Sequence, residues 1–140
     1  ESQFLDYQEF QGTRDISAFL CTPKVIDFLE ENNWKTKAKD CRNLVLSNYK
    51  RFCDLLGSKP ICPINEDFLV QMASVPVKTS DPVGLKELLF KTYKIEIPVM
   101  SLNGNYFIRY SINAYNSQED LDVLYNALQD IIATTVLIEV

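Results

Sequence analysis

Arg109 is the charged side chain with the most chemical potential in this chain, within Asn105-Tyr-Phe-Ile-Arg-Tyr-Ser-Ile-Asn-Ala-Tyr-Asn-Ser117. This stretch reads as a strand running into a helix cap. Side chains alternate across a strand, so Phe107, Arg109 and Ser111 share one face and Ile108, Tyr110 and Ile112 the other. The second face is apolar and belongs on a core. Arg109 is then a permanent cation in a short, otherwise uncharged strand. A guanidinium left unpaired in a dry site is costly, so it calls for an anion or for water. No acid stands beside it in sequence; the nearest are Glu96 and Glu119. One reading is an ion pair with a distant Asp or Glu, or a guanidinium that reaches solvent. The other is a bidentate clamp for a substrate carboxylate.

Other chemical groups are scarce. The chain has no histidine, which removes the usual general base and the Ser–His and Cys–His pairs. Its four cysteines, Cys21, Cys41, Cys53 and Cys62, show no CxxC spacing, so no metal site is expected. Cys41 and Cys53 fall in one helical pattern and read as buried free thiols, as in a cytoplasmic protein. The net charge is −5 with no basic stripe, which argues against nucleic acid. No apolar run approaches the roughly 20 residues of a membrane helix. No signal peptide is expected. The chain opens on Glu1 and reads as a piece of a longer protein.

The 140 residues suffice for one domain with a real core. Residues 1–15 lack a clear period and read as an arm with aromatic anchors Phe4, Tyr7 and Phe10; residues 16–140 form the body. Gly12-Thr13 marks a point without room for a Cβ, and Asp15 caps the helical stretch after it. Ile16, Phe19, Leu20, Ile26 and Leu29 lie at helical spacing, broken at Pro23 either by a turn before a second helix or by a kink. A long helix is expected from about Lys35 to Leu56, stopped by Gly57. Phe68–Val77 is strand-like until Pro76. Asp81-Pro82 opens a helix. Ile95–Met100 is a short strand at an edge or a strand end. Asn103-Gly104 signals a hairpin. Ser117 to Asp120 forms a capping box for the last helix. The β-prone tail from Thr134 either extends that helix or does not. These elements predict an α+β fold: a small mixed, largely antiparallel three-stranded sheet with helices packed on one face.

Two segments carry a resemblance to a known family. They are Phe10-Gln-Gly-Thr-Arg-Asp-Ile-Ser-Ala-Phe19 and the later run Ile95–Met100, Phe107–Asn116 and Glu119–Asp122. Together they resemble the C-terminal small domain of class V aminotransferase-type enzymes dependent on pyridoxal 5'-phosphate (fold type I). The branch they most resemble is isopenicillin-N epimerase-like, within the superfamily of cysteine desulfurases and selenocysteine lyases. The resemblance implies that Arg109 holds the α-carboxylate of an amino-acid substrate. It also implies that Gly12 and Thr13 reach the cofactor phosphate of the neighbouring subunit in a homodimer; alone, the pair reads as an ordinary turn. The family's cofactor-binding lysine lies in a large upstream domain absent from this chain, and none of the lysines here takes that role. The piece alone is therefore expected to be inactive. Lys94 to Asn105 contains no cysteine, which disfavours desulfurase chemistry and leaves epimerase, transaminase or lyase chemistry. The alternative is a stand-alone, non-catalytic α/β module that binds a ligand or a protein.

Overall fold

The computed structural model describes residues 2–9 and 12–140; Glu1, Phe10 and Gln11, and with them the start of the Gln-Gly-Thr-Arg-Asp run, lie outside it. The chain divides into two compact units, Glu1–Lys35 and Thr36–Val140.

The N-terminal unit contains three short helices, α1 (Gln3–Glu9), α2 (Ser17–Leu20) and α3 (Thr22–Glu31). The stretch expected to be an aperiodic arm thus carries one short helix. Phe4 and Tyr7 are exposed, and the third expected anchor, Phe10, lies outside the described residues. Asp15 caps α2 from just upstream, accepting hydrogen bonds from the Ser17 N–H and hydroxyl, each at 2.9 Å. Those two bonds hold its carboxyl below the usual value. The apolar pattern breaks into two helices at Pro23, which occupies the first turn of α3, where its missing N–H costs nothing. Asn33, in the left-handed region at φ 50°, follows α3. No described residue of this unit is buried.

The body is built on α4 (Trp34–Leu55), β1 (Met72–Val77), α5 (Pro82–Lys91), β2 (Val99–Leu102), β3 (Asn105–Ser111) and α6 (Gln118–Thr134). Gly57, at φ +58°, ends α4 as expected, and the Ser58 N–H returns to the Cys53 carbonyl at 2.9 Å. Asp81 caps α5 by accepting from the Gly84 N–H at 2.8 Å. Asp120 accepts from the Ser117 N–H at 2.9 Å, the acidic half of the capping box. The helix α6 stops at Thr134, and the tail bridges back through the Glu139 N–H to the Lys78 carbonyl at 3.0 Å.

The three strands form one antiparallel sheet in the order β1-β3-β2. Asn103 and Gly104, both left-handed, make the two-residue hairpin turn between β2 and β3. Two strand boundaries differ from expectation. The strand β1 begins only at Met72 and continues through Pro76, which an edge strand tolerates because one side has no ladder to satisfy. The strand β2 begins after Pro98, so Ile95–Pro98 approaches without regular pairing. The inner sheet face, with Ala73, Val75, Val77, Ile108 and Tyr110, packs with Tyr49 and Phe52 of α4, Leu85 and Leu89 of α5, and Leu124, Leu128 and Ile131 of α6. Helices therefore cover one face of the sheet, as the pattern predicts. Cys41 and Cys53 are buried and unpaired in this core.

Candidate functional site

The β3 alternation places Arg109 between two buried residues, Ile108 and Tyr110, and on the opposite face from them. Its backbone N–H donates to the Pro98 carbonyl at 3.1 Å, and Ser74 of β1 stands directly across. The strand is thus held on both sides at this residue. The guanidinium is half-buried, and its Nε–H is enclosed with no hydrogen-bond partner.

Arg42 shares an enclosed Nε–H without a partner, but the other three arginines each have an internal partner for the guanidinium. Arg14 stacks over the Phe19 ring at 4.7 Å. Arg42 lies 3.7 Å from a Glu66 carboxylate oxygen. Arg51 binds Asp122 and lies over the Tyr125 ring at 4.0 Å. Among the described residues, no ion pair or side-chain hydrogen bond engages Arg109. A cavity of about 260 Å³ adjoins β3 here, lined by Arg109 together with Glu96, Pro98, Ser111, Asn116 and Asp120. Neither acid comes within 4.0 Å of the guanidinium. Asp120 is already committed to the Ser117 N–H. Asn116 is fixed by accepting from the Asn113 N–H at 3.0 Å. The rim of the cavity is therefore built from hydrogen bonds that leave the cation free. Next to Arg109, burial raises the Tyr110 phenol far above its ordinary pKa, so it stays neutral and hydroxylic across the physiological range.

Gly12 and Thr13 belong to the N-terminal unit. Gly12 has φ +68°, a conformation that favours glycine, but a Cβ there would meet nothing within 4 Å. The backbone angle selects glycine, and the expected crowding is absent. Thr13 is exposed, and among the described residues no hydrogen bond engages its hydroxyl. An open glycine beside a free hydroxyl suits an approaching phosphate. Arg14 turns to Phe19 and does not pair with Asp15. Every lysine of the chain is exposed, so none is held in the enclosed site that a covalently attached cofactor needs. The residues present fit a share in the phosphate and substrate contacts of pyridoxal phosphate, and they do not fit its attachment. Among the described residues, no group of three or more His, Cys, Asp or Glu converges as a metal site, and no helix is long and apolar enough to cross a membrane.

One polar cluster was not legible beforehand. The Asn48 and Gln118 amides exchange hydrogen bonds at 2.8 and 3.0 Å, and Gln118 donates to Asp122 at 3.0 Å. With Arg51 this network joins α4 to α6. Its only sequence signal is local, the i,i+3 spacing of Asn48 and Arg51 and the i,i+4 spacing of Gln118 and Asp122; the pairing across 70 residues has none.

The fold and site define a class first: a small α+β domain whose antiparallel sheet presents one unpaired arginine. No family model matches the chain. Two curated proteins do, both isopenicillin N epimerases. That of Amycolatopsis lactamdurans is 25% identical over 124 residues, 88% of this chain and 31% of the relative. That of Streptomyces clavuligerus is 28% identical over 121 residues, 86% of this chain and 30% of the relative. The chain is similar to the isopenicillin-N epimerase-like branch that its two motifs resemble, and it spans about a third of the length of these relatives.

Proposed function

We propose that this chain is the C-terminal small domain of a pyridoxal phosphate-dependent enzyme acting on an amino acid, with isopenicillin-N epimerase-like chemistry (epimerase, transaminase or lyase). One observation carries the reading: Arg109, alone among the four arginines, has no internal partner among the described residues. In this reading it grips the substrate α-carboxylate through two parallel N–H donors, which fixes the carboxylate plane and hence the orientation of Cα. Gly12 and Thr13 contact the cofactor phosphate across a homodimer. The cofactor, when bound, supplies the electron sink, and an upstream large domain supplies its attachment. The 140 residues alone neither hold the cofactor tightly nor turn over substrate. The cytoplasm suits the unpaired cysteines, two of them buried.

The test uses the full-length protein. Arg109→Lys replaces a forked donor with a point charge and is expected to weaken amino-acid binding by about 1–3 kcal/mol, leaving the cofactor absorbance unchanged. Unaltered substrate affinity in that variant overturns the clamp.

A further inference from the structure

Glu96 lines the same cavity as Arg109. The backbone explains how the two meet. The Arg109 N–H donates to the Pro98 carbonyl at 3.1 Å, so Pro98 stands opposite Arg109. Ile97 is buried, as are Ile108 and Tyr110, which turns Glu96 and Pro98 to the side that Arg109 occupies. Glu96 is thus a diagonal neighbour of the cation, at a separation that long side chains can bridge. They do not bridge it. Carboxylate and guanidinium stay more than 4.0 Å apart, and among the described residues no ion pair or hydrogen bond engages Glu96. The cavity's other acid, Asp120, is matched in another way. It accepts from the Ser117 N–H at 2.9 Å at the start of α6, where the helix dipole favours an anion. Once a carboxylate occupies Arg109, Glu96 is the charge left unmatched.

We infer that Glu96 selects the far end of the ligand: the molecule whose carboxylate Arg109 takes carries a cation on its tail, and a molecule with a second carboxylate is disfavoured. This rests on the Arg109 clamp proposed above. In an amino-acid substrate whose α-amine is engaged by the cofactor, that cation belongs to the side chain, so the class is basic amino acids rather than acidic ones. The cavity offers two opposite charges with space between them. A carboxylate with a terminal ammonium matches both, whereas a dicarboxylate matches Arg109 and meets a like charge at Glu96. Glu96 is exposed, so water weakens both effects and the selection is severalfold rather than absolute.

The 140-residue chain is titrated with three acids of one length, 5-aminopentanoate, pentanoate and pentanedioate, at low salt, following the backbone amide resonances of β3 by NMR. Affinity is expected to fall in that order, by about two- to fivefold at each step, and the steps shrink as salt is added. Glu96→Gln keeps the shape, removes the charge and breaks no bond, so the fold is retained. In that variant the three affinities converge. Pentanedioate binding as tightly as 5-aminopentanoate, or the order surviving Glu96→Gln, overturns the role of Glu96 and leaves the clamp standing. So does an equal gain by all three acids in Glu96→Gln, which is the signature of Glu96 pairing with Arg109 in solution. Failure of every acid to shift β3, or no loss of binding in Arg109→Gln, overturns the clamp and with it this inference.

Discussion

Ile16, Phe19, Leu20, Ile26 and Leu29 recur at the same helical spacing as Val45, Tyr49, Phe52 and Leu56. Yet the first set is 36–71% exposed and the second at most 1%. The two units thus carry one sequence signature with opposite outcomes. Periodicity specifies that a helix has an apolar face; it does not specify what covers it. In the body a 22-residue helix lies over a sheet with two further helices, and each apolar face finds another. In the N-terminal unit the helices run to 7, 4 and 10 residues. Isolated helices of that length are marginal in water, and three of them enclose no core here.

The largest effect that sharpens the contrast comes from the body's centre. Leu128, fully buried on α6, sits among residues of the inner sheet face and α4. Leu128→Ala is expected to cost about 2–5 kcal/mol, the transfer term plus the cavity left behind. Small domains are stable by only about 5–15 kcal/mol. Urea denaturation followed by circular dichroism reads this directly, and a loss below about 1 kcal/mol contradicts a close-packed core at this position.

Much of the body was legible because its punctuation is local. Asn103-Gly104 needs two left-handed residues, Gly57 one, and Asp81 and Ser117–Asp120 are helix starts by their own hydrogen-bonding chemistry. The alternation in β3 correctly set Ile108 and Tyr110 inward. The features that escaped depend on distant partners. Pro76 lies inside β1 because that strand is an edge, which only the assembled sheet decides. The Tyr49 hydroxyl donates to the Ser74 carbonyl at 3.1 Å and accepts from the Ile61 N–H at 3.2 Å, pinning a long loop that looks structureless in sequence. That Arg109 goes unpaired was equally invisible, since Arg51 finds its acid 71 residues away.

An intermediate effect separates two carboxylates shifted in the same direction but with different reach. Hydrogen bonds lower the pKa of Asp15, from the Ser17 N–H and then its hydroxyl, and of Asp122, from Arg51 and then Gln118. Asp15 closes a local turn; Asp122 ties α6 to α4. A native pKa below the unfolded one gives stability that is complete above the ordinary carboxylate pKa and lost as pH falls through the lowered value. The body's urea midpoint should therefore fall as the pH drops below the ordinary carboxylate range. Asp122→Asn should remove part of that dependence, and Asp15→Asn should leave it intact. Equal responses from the two variants would erase the distinction between a long-range tie and a local cap.

The smallest effect is the most telling about the N-terminal unit. Leu20 is 71% exposed despite its place in the apolar stripe. Leu20→Ser removes no buried contact, so the body's unfolding free energy should change by less than about 0.5 kcal/mol. Amide exchange gives the same contrast by another route. The α2 and α3 amides should exchange through local fraying, whereas those of α6 around Leu128 should wait for global unfolding. If α2 and α3 were protected to the same degree as α6, their apolar stripe would have to be covered in solution. The two units would then differ in what covers them rather than in whether they are covered.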